Sequence, residues 1–82
     1  MELQQEVADL VGRVIRDSTG RDVEVAPDDR LIESGLLDSL SMVNLVMALQ
    51  EQYEVSLDIN DMNEVSFASA AAIAALVAER RG

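Results

Sequence analysis

Ser39-Leu40-Ser41-Met42-Val43-Asn44-Leu45-Val46-Met47-Ala48-Leu49-Gln50-Glu51-Gln52-Tyr53 is the stretch whose reading decides the fold. No glycine or proline interrupts it, and Asp38 or Ser39 can serve as its N-cap. At about 100° per residue, Met42, Leu45, Val46, Leu49 and Tyr53 share one face. Leu40, Val43 and Met47 lie on roughly the opposite side, beside Asn44 and Glu51. A helix that is apolar on two sides is either buried all round or uses one side for the core and the other for a partner. Full burial is hard to arrange in 82 residues. The second stripe is therefore a candidate partner surface.

Upstream, Gly35-Leu36-Leu37-Asp38 leads into this helix from a segment without a sustained period, residues 18–38. Val23 and Val25 alternate with charges before Pro27-Asp28-Asp29 breaks the pattern. A strand over 22–25 would have no partner strand, so the whole segment reads as loop. Loops this long are functional or disordered. Leu31, Ile32, Leu36 and Leu37 argue against disorder and predict that the loop lies against the core. Before it, residues 2–17 predict an amphipathic helix. Leu3, Val7, Leu10, Val11, Val14 and Ile15 recur at helical spacing, and Glu2, Gln5, Glu6, Asp9, Arg13 and Arg16 fill the other side. Ser18-Thr19-Gly20 stops it, with Gly20 able to take the left-handed conformation.

Downstream, Val55, Leu57, Ile59 and Met62 alternate loosely, and residues 59–64 predict a short helix. Asp58 and Asn60 match the first two ligands of a calcium loop. Met62 occupies the third position and the required glycine is missing, which excludes that motif. A last helix spans 70–80, with Ser69 as N-cap and Phe67 packed ahead of it as a staple. Ile73, Leu76 and Val77 supply its apolar face, and Arg80 and Arg81 complement its dipole. The expected architecture is all-α: a single domain over 1–82, built as a four-helix bundle with a long first loop and a short third helix.

Composition narrows the function. There is no cysteine and no histidine. Disulfides, thiolate metal sites and the commonest general base are excluded with them. A stand-alone enzyme would have to work with carboxylates, serines and arginines. Sixteen acids against six arginines give a formal net charge of −10. Such a chain repels nucleic acid and anionic membrane surfaces and is steered toward basic partners. No signal peptide is legible, and no apolar run approaches the roughly 20 residues of a membrane span. A cytoplasmic monomer is expected.

Ser39 is the residue with chemical interest. A serine hydroxyl is a weak nucleophile unless a base activates it, and its neighbour Asp38 is poorly placed to do so. Ser39 is better suited to being modified by another enzyme. It stands at a loop-to-helix junction, where backbone N–H groups and the helix dipole favour a phosphate. The alternative is that Ser39 is only an N-cap.

Asp38-Ser39-Leu40 resembles the phosphopantetheine attachment motif of acyl carrier proteins. Gly35 upstream and Val43, Leu45, Val46, Met47, Ala48 and Leu49 downstream fit the same family, followed by Glu51 and Tyr53. The resemblance takes in nearly the whole chain, including the long first loop and Phe67-Ala68-Ser69. It implies an acyl-carrier-protein-like bundle that is not an enzyme. A phosphopantetheinyl transferase would place 4′-phosphopantetheine from coenzyme A on Ser39, with Asp38 helping to hold Mg²⁺. An acyl- or aminoacyl-loading ligase or transferase would charge the arm, and downstream synthases or tailoring enzymes would take the cargo. Leu40, Val43 and Met47 match the family's docking positions. Met42, Leu45, Val46 and Leu49 match core positions that in some members shelter cargo.

Carriers of fatty-acid synthesis have a markedly acidic second helix. Here residues 39–50 contain no charged side chain, and Ser41, Asn44 and Gln50 stand where acids would be expected. Gly35-Leu36-Leu37-Asp38-Ser39, and Phe67-Ala68-Ser69 followed by Ala72-Ile73-Ala74-Ala75-Leu76-Val77, resemble free-standing carriers dedicated to one pathway. The expected order is polyketide or nonribosomal-peptide assembly first, a D-alanyl or other aminoacyl carrier second, and fatty-acid synthesis third. An unmodified acidic adaptor that docks through the Leu40/Val43/Met47 stripe is the reading from a different class.

Overall fold

The apolar positions of the N-terminal segment recur every three or four residues. In the computed structural model they form one buried face of helix α1 (Leu3–Thr19), made of Val7, Ala8, Leu10, Val11, Val14 and Ile15. The structure describes residues 3–81. Glu2, counted in the first predicted helix, and the side chain of Ile59 lie outside the described residues. Helix α1 reaches Thr19 rather than residue 17. The Thr19 hydroxyl donates to the Ile15 carbonyl at 2.7 Å, and the Gly20 N–H donates to the Arg16 carbonyl at 2.8 Å. Gly20 has φ 77°, a left-handed ending that glycine adopts without steric cost.

Helix α2 (Ser39–Tyr53) has the predicted bounds. Helix α3 (Ala70–Arg81) starts where Ser69 Oγ accepts the Ala72 N–H at 3.1 Å, and Phe67 just ahead is fully buried. Helix α1 packs against both α2 and α3, which touch each other only slightly. Leu31 and Leu37 of the long loop join the same core, together with Val55 and Phe67. Val23, Val25, Ile32 and Leu36 pack at its edge. Main-chain bonds pin the loop to the start of α3. The Leu31 N–H donates to the Ala68 carbonyl at 2.9 Å, and the Ala71 N–H to the Pro27 carbonyl at 2.8 Å. The apolar anchors thus do what their spacing predicted, and no strand forms at 22–25.

The described residues hold three α-helices and one 3-10 turn, without strands. The all-helical class is as expected, but the short third helix is not. Instead of a helix over 59–64 there is a single 3-10 turn, Ile59–Asp61, so three helices stand where a four-helix bundle was expected. Short polar side chains explain the difference. Asp58 Oδ1 accepts the N–H groups of Asn60 at 2.8 Å and Asp61 at 3.2 Å. Asn63 Oδ1 then accepts those of Val65 at 3.0 Å and Ser66 at 2.8 Å. Asp58 thus caps the start of the turn, whereas Asn63 closes a new local turn that competes with a continuing helix.

The 3-10 turn is tied to α3 by an ion pair between Arg80 and Asp61 at 2.5 Å. Hydrogen bonding from Arg80 holds the Asp61 carboxyl below the usual carboxylate range. Nearby, the Arg81 guanidinium stands 5.8 Å from the Tyr53 ring centroid, and the Tyr53 hydroxyl donates to Glu6 at 3.5 Å. Burial, and then the Glu6 charge, push the Tyr53 hydroxyl up. This end of the molecule is fastened by charge.

Candidate functional site

The other end of α2 is built differently. Gly35, at φ 81°, turns the loop, and its N–H donates to the Ile32 carbonyl at 3.1 Å. Leu37 is buried, which fixes the chain just before the helix. Asp38 follows with extended backbone, and its Oδ1 accepts the Ser41 N–H at 2.8 Å. That bond is the largest influence holding the Asp38 carboxyl below its ordinary value. The Ser41 hydroxyl adds to the effect from close by, although it completes no hydrogen bond of proper geometry. Of the two capping candidates, Asp38 takes the role.

Ser39 is thereby left free. It is the first residue of α2 and exposed. Several other hydroxyls are engaged or hidden, though the exposed Ser56 hydroxyl, which lies in a loop and not at a helix start, has no bond either among the described residues. Ser18 Oγ accepts from Asn44, Thr19 and Ser34 donate to carbonyls of their own turns, Ser69 caps α3, and Ser41 is buried. Among the described residues the Ser39 hydroxyl has no hydrogen-bond partner, and no base activates it, because the chain lacks histidine and the Asp38 Oδ1 is turned to Ser41. The arrangement offers an accessible hydroxyl at the N-terminus of a 15-residue helix. It fits a phosphate ester there, since unpaired N–H groups and the dipole favour the added charge. It does not fit a self-activating nucleophile.

Along the outward side of α2, Leu40 is 63% exposed, Val43 46% and Met47 62%. On the inward side Leu45, Val46 and Leu49 are buried and Met42 packs at the edge of the core. Asp38, Ser39 and the predicted docking stripe thus belong to one helix and its cap, with the stripe facing solvent.

Three polar side chains of α2 carry structure that the sequence reading missed. Ser41 is 1% exposed and its Oγ has no partner. Its spacing of four and eight from Leu45 and Leu49 does mark it as a core-face position. Asn44 Nδ2 donates to Ser18 Oγ at 2.8 Å, and Gln50 Oε1 accepts the Leu57 N–H at 3.0 Å. Those two partners come from distant or irregular segments, and no periodicity signals them.

The chain belongs to the phosphopantetheine attachment site family, whose profile matches residues 3–77. It is 30% identical to D-alanyl carrier protein 2 of Lactiplantibacillus plantarum, over 93% of this chain and 95% of that one. It is 32% identical to the D-alanyl carrier protein of Bacillus subtilis over 77% of each chain. It is 29% identical to that of Lactobacillus delbrueckii subsp. bulgaricus over 77% of this chain and 74% of the relative. The protein is therefore a carrier and not a catalyst, and its prosthetic group is covalently attached 4′-phosphopantetheine. No helix among the described residues is long and apolar enough to cross a membrane.

Proposed function

We propose that Ser39 is the attachment residue, within a single carrier domain over 1–82, and that the cargo is an aminoacyl group of the D-alanyl kind. The observation that carries the first part is the division of labour at the start of α2. Asp38 caps the helix through Oδ1, which leaves the Ser39 hydroxyl exposed and unengaged at the helix terminus. In the transfer, Ser39 Oγ bonds to phosphorus as the pyrophosphate link of coenzyme A breaks. The nucleotide half leaves, and the hydroxyl proton goes to a base of the transferase, since this chain supplies none. Asp38 is suited to help hold the transferase's Mg²⁺ because its exposed carboxylate adjoins Ser39 and hydrogen bonding from Ser41 favours its ionised form. The attached arm supplies the thiol that the chain lacks, and the cargo rides on it as a thioester.

The relatives support the second part, for the proteins named above are D-alanyl carriers. They favour the aminoacyl reading over the polyketide or nonribosomal-peptide reading that was placed first from sequence. The uncharged 39–50 stretch of α2 agrees with a dedicated carrier and speaks against a fatty-acid role. Partners on this reading are a phosphopantetheinyl transferase and an adenylating aminoacyl ligase, docked on Leu40, Val43 and Met47, with the protein acting as a cytoplasmic monomer.

Intact-mass measurement tests both parts in sequence. Incubation with a broad-specificity phosphopantetheinyl transferase, coenzyme A and Mg²⁺ adds one phosphopantetheine to the native protein and none to Ser39→Ala. The modified protein, given ATP, D-alanine and a D-alanine-activating ligase, then gains one alanyl group. No first gain, with a control carrier modified in parallel, overturns the attachment site. A first gain followed by loading from malonyl-coenzyme A and a malonyl transferase, but not from D-alanine, restores the polyketide reading.

A further inference from the structure

The loop that leads into α2 and the segment that leads into α3 lie side by side. Leu31 and Phe67 are fully buried, and the Leu31 N–H donates to the Ala68 carbonyl at 2.9 Å. Beside that bond lies a groove of about 520 Å³ lined by Arg30, Ile32, Glu33, Glu64 and Ala68. This is the size of a small-molecule site. Both walls are pinned, for the Gly35 N–H donates to the Ile32 carbonyl at 3.1 Å and the Phe67 N–H to the Asn63 carbonyl at 3.0 Å. Arg30 and Glu33 pair with each other at 3.1 Å. Glu64 has no ion-pair partner among the described residues. The groove therefore keeps one uncompensated carboxylate, next to the apolar surface of Ile32 and Ala68.

The groove is within reach of Ser39. The Leu37 N–H donates to the Leu31 carbonyl at 2.9 Å, and Ser39 follows Leu37 by two residues. Chain geometry along that path keeps the Ile32 and Ser39 Cα atoms within about 15 Å of each other. The phosphopantetheine arm has about fourteen backbone bonds from Oγ to sulfur, so at three bonds per residue it spans roughly 16 Å when extended.

We propose that this groove binds the free end of the aminoacyl cargo, with the alanyl ammonium on Glu64 and the alanyl methyl group against Ile32 and Ala68. The proposal rests on the aminoacyl carrier reading above and adds the place where the loaded cargo lies. The argument is charge complementarity. One ammonium distinguishes an aminoacyl thioester from a simple acyl thioester, and the groove offers one carboxylate without a partner. An exposed pair of this kind is weak. The tether offsets that weakness, because it holds the cargo at an effective concentration on the order of millimolar. Pinned walls also spare the cost of ordering the site on binding. An acyl group without the ammonium makes only the apolar contact.

The test uses cargo that cannot hydrolyse. Coenzyme A analogues with an amine in place of the thiol are acylated with D-alanyl or isobutyryl groups, which differ by an ammonium in place of a methyl, and are transferred to Ser39. Amide proton–nitrogen correlation spectra of the two loaded proteins are compared with that of the protein bearing the ordinary thiol arm. D-alanyl should shift the resonances of Ile32, Glu33, Glu64 and Ala68 at least about twofold more than isobutyryl does. Glu64→Gln, a change at an exposed position, should bring the two cargoes level. Equal shifts from both cargoes in the native protein, no shift at these four residues, or a D-alanyl shift untouched by Glu64→Gln overturns the proposal. Shifts gathered at Leu45, Val46 and Leu49 instead place the cargo among the core residues and overturn it as well. In all of these outcomes the mass gained on attachment leaves the carrier reading intact, and the ligase assay above tests the cargo separately. No mass gain on the native protein removes the carrier reading and the proposal together.

Discussion

Helices α1 and α2 are of similar length, 17 and 15 residues, and both lie against the same core, yet they use their surfaces in opposite ways. The outward side of α1 carries Gln5, Asp9, Arg13 and Arg16, the ordinary solvated face of a surface helix. The outward side of α2 carries Leu40, Val43 and Met47. Exposed apolar residues scattered singly need no explanation. Three on one side of one helix, starting one residue after a free serine and backed by inward-turned polar groups, are another matter. Folding explains every residue of α1 and only the inner half of α2. The contrast locates function on the half that folding does not need.

The contrast is broken most sharply at Ser39. Ser39→Ala should abolish phosphopantetheine addition completely by intact mass, while the melting temperature stays within a degree or so, because Asp38 and not Ser39 caps the helix. A clear loss of stability in this variant would return Ser39 to a capping role.

Next come the two sides of α2. Leu49 is fully buried, and Leu49→Ala should destabilise by about 2–5 kcal/mol through lost burial and a residual cavity. That is a large share of the stability of a domain this small, so the variant should be partly unfolded in chemical denaturation at room temperature. Met47→Ala on the opposite side should cost less than about 0.5 kcal/mol while reducing the rate of modification or loading. Equal destabilisation by the two variants would show that α2 is buried on both sides in solution, and that the outward stripe is core.

How much of this was legible in the sequence follows from the same contrast. Periodic features were readable. The bounds of α2, the start of α3, the buried face of α1 and the exposed Leu40/Val43/Met47 stripe all follow from spacing near 3.6 residues. The loop anchors Leu31 and Leu37 were readable as apolar residues too costly to leave in water. Interactions between a side chain and a distant backbone or hydroxyl leave no periodic trace, so the Asn44–Ser18 and Gln50–Leu57 bonds were invisible. The 59–64 segment failed for a related reason. Its apolar residues suggested a helix; Asp58 caps a single turn, and Asn63 then binds the N–H groups of Val65 and Ser66 and opens a new turn where the helix would continue. At the site, the pattern left the cap open between Asp38 and Ser39, and only geometry decided.

The smallest expected effect concerns the fastened end of the molecule, which differs from the free Ser39 end in relying on charge. Asp61 is buried beside Arg80, and its carboxyl is held below the usual range mainly by hydrogen bonding from that guanidinium. A carboxyl whose folded value lies below its unfolded one, near 3.8, binds fewer protons folded than unfolded. Its contribution to stability is complete above that unfolded value and is lost as pH falls through the folded one. Melting temperature should therefore be nearly flat from pH 7 to about 5 and decline below about 4. Asp38, lowered by the Ser41 N–H, adds to the decline with the same sign. Arg80→Gln removes the cation and should raise the Asp61 value toward normal, so the variant is less stable at neutral pH but loses less on acidification. The two melting curves should converge as pH drops, by a few degrees at most, because Arg80 is partly exposed and water screens the pair. Parallel curves from pH 7 to 3 would mean that Asp61 is not held by Arg80, and that the far end is fastened by Tyr53 and the core alone.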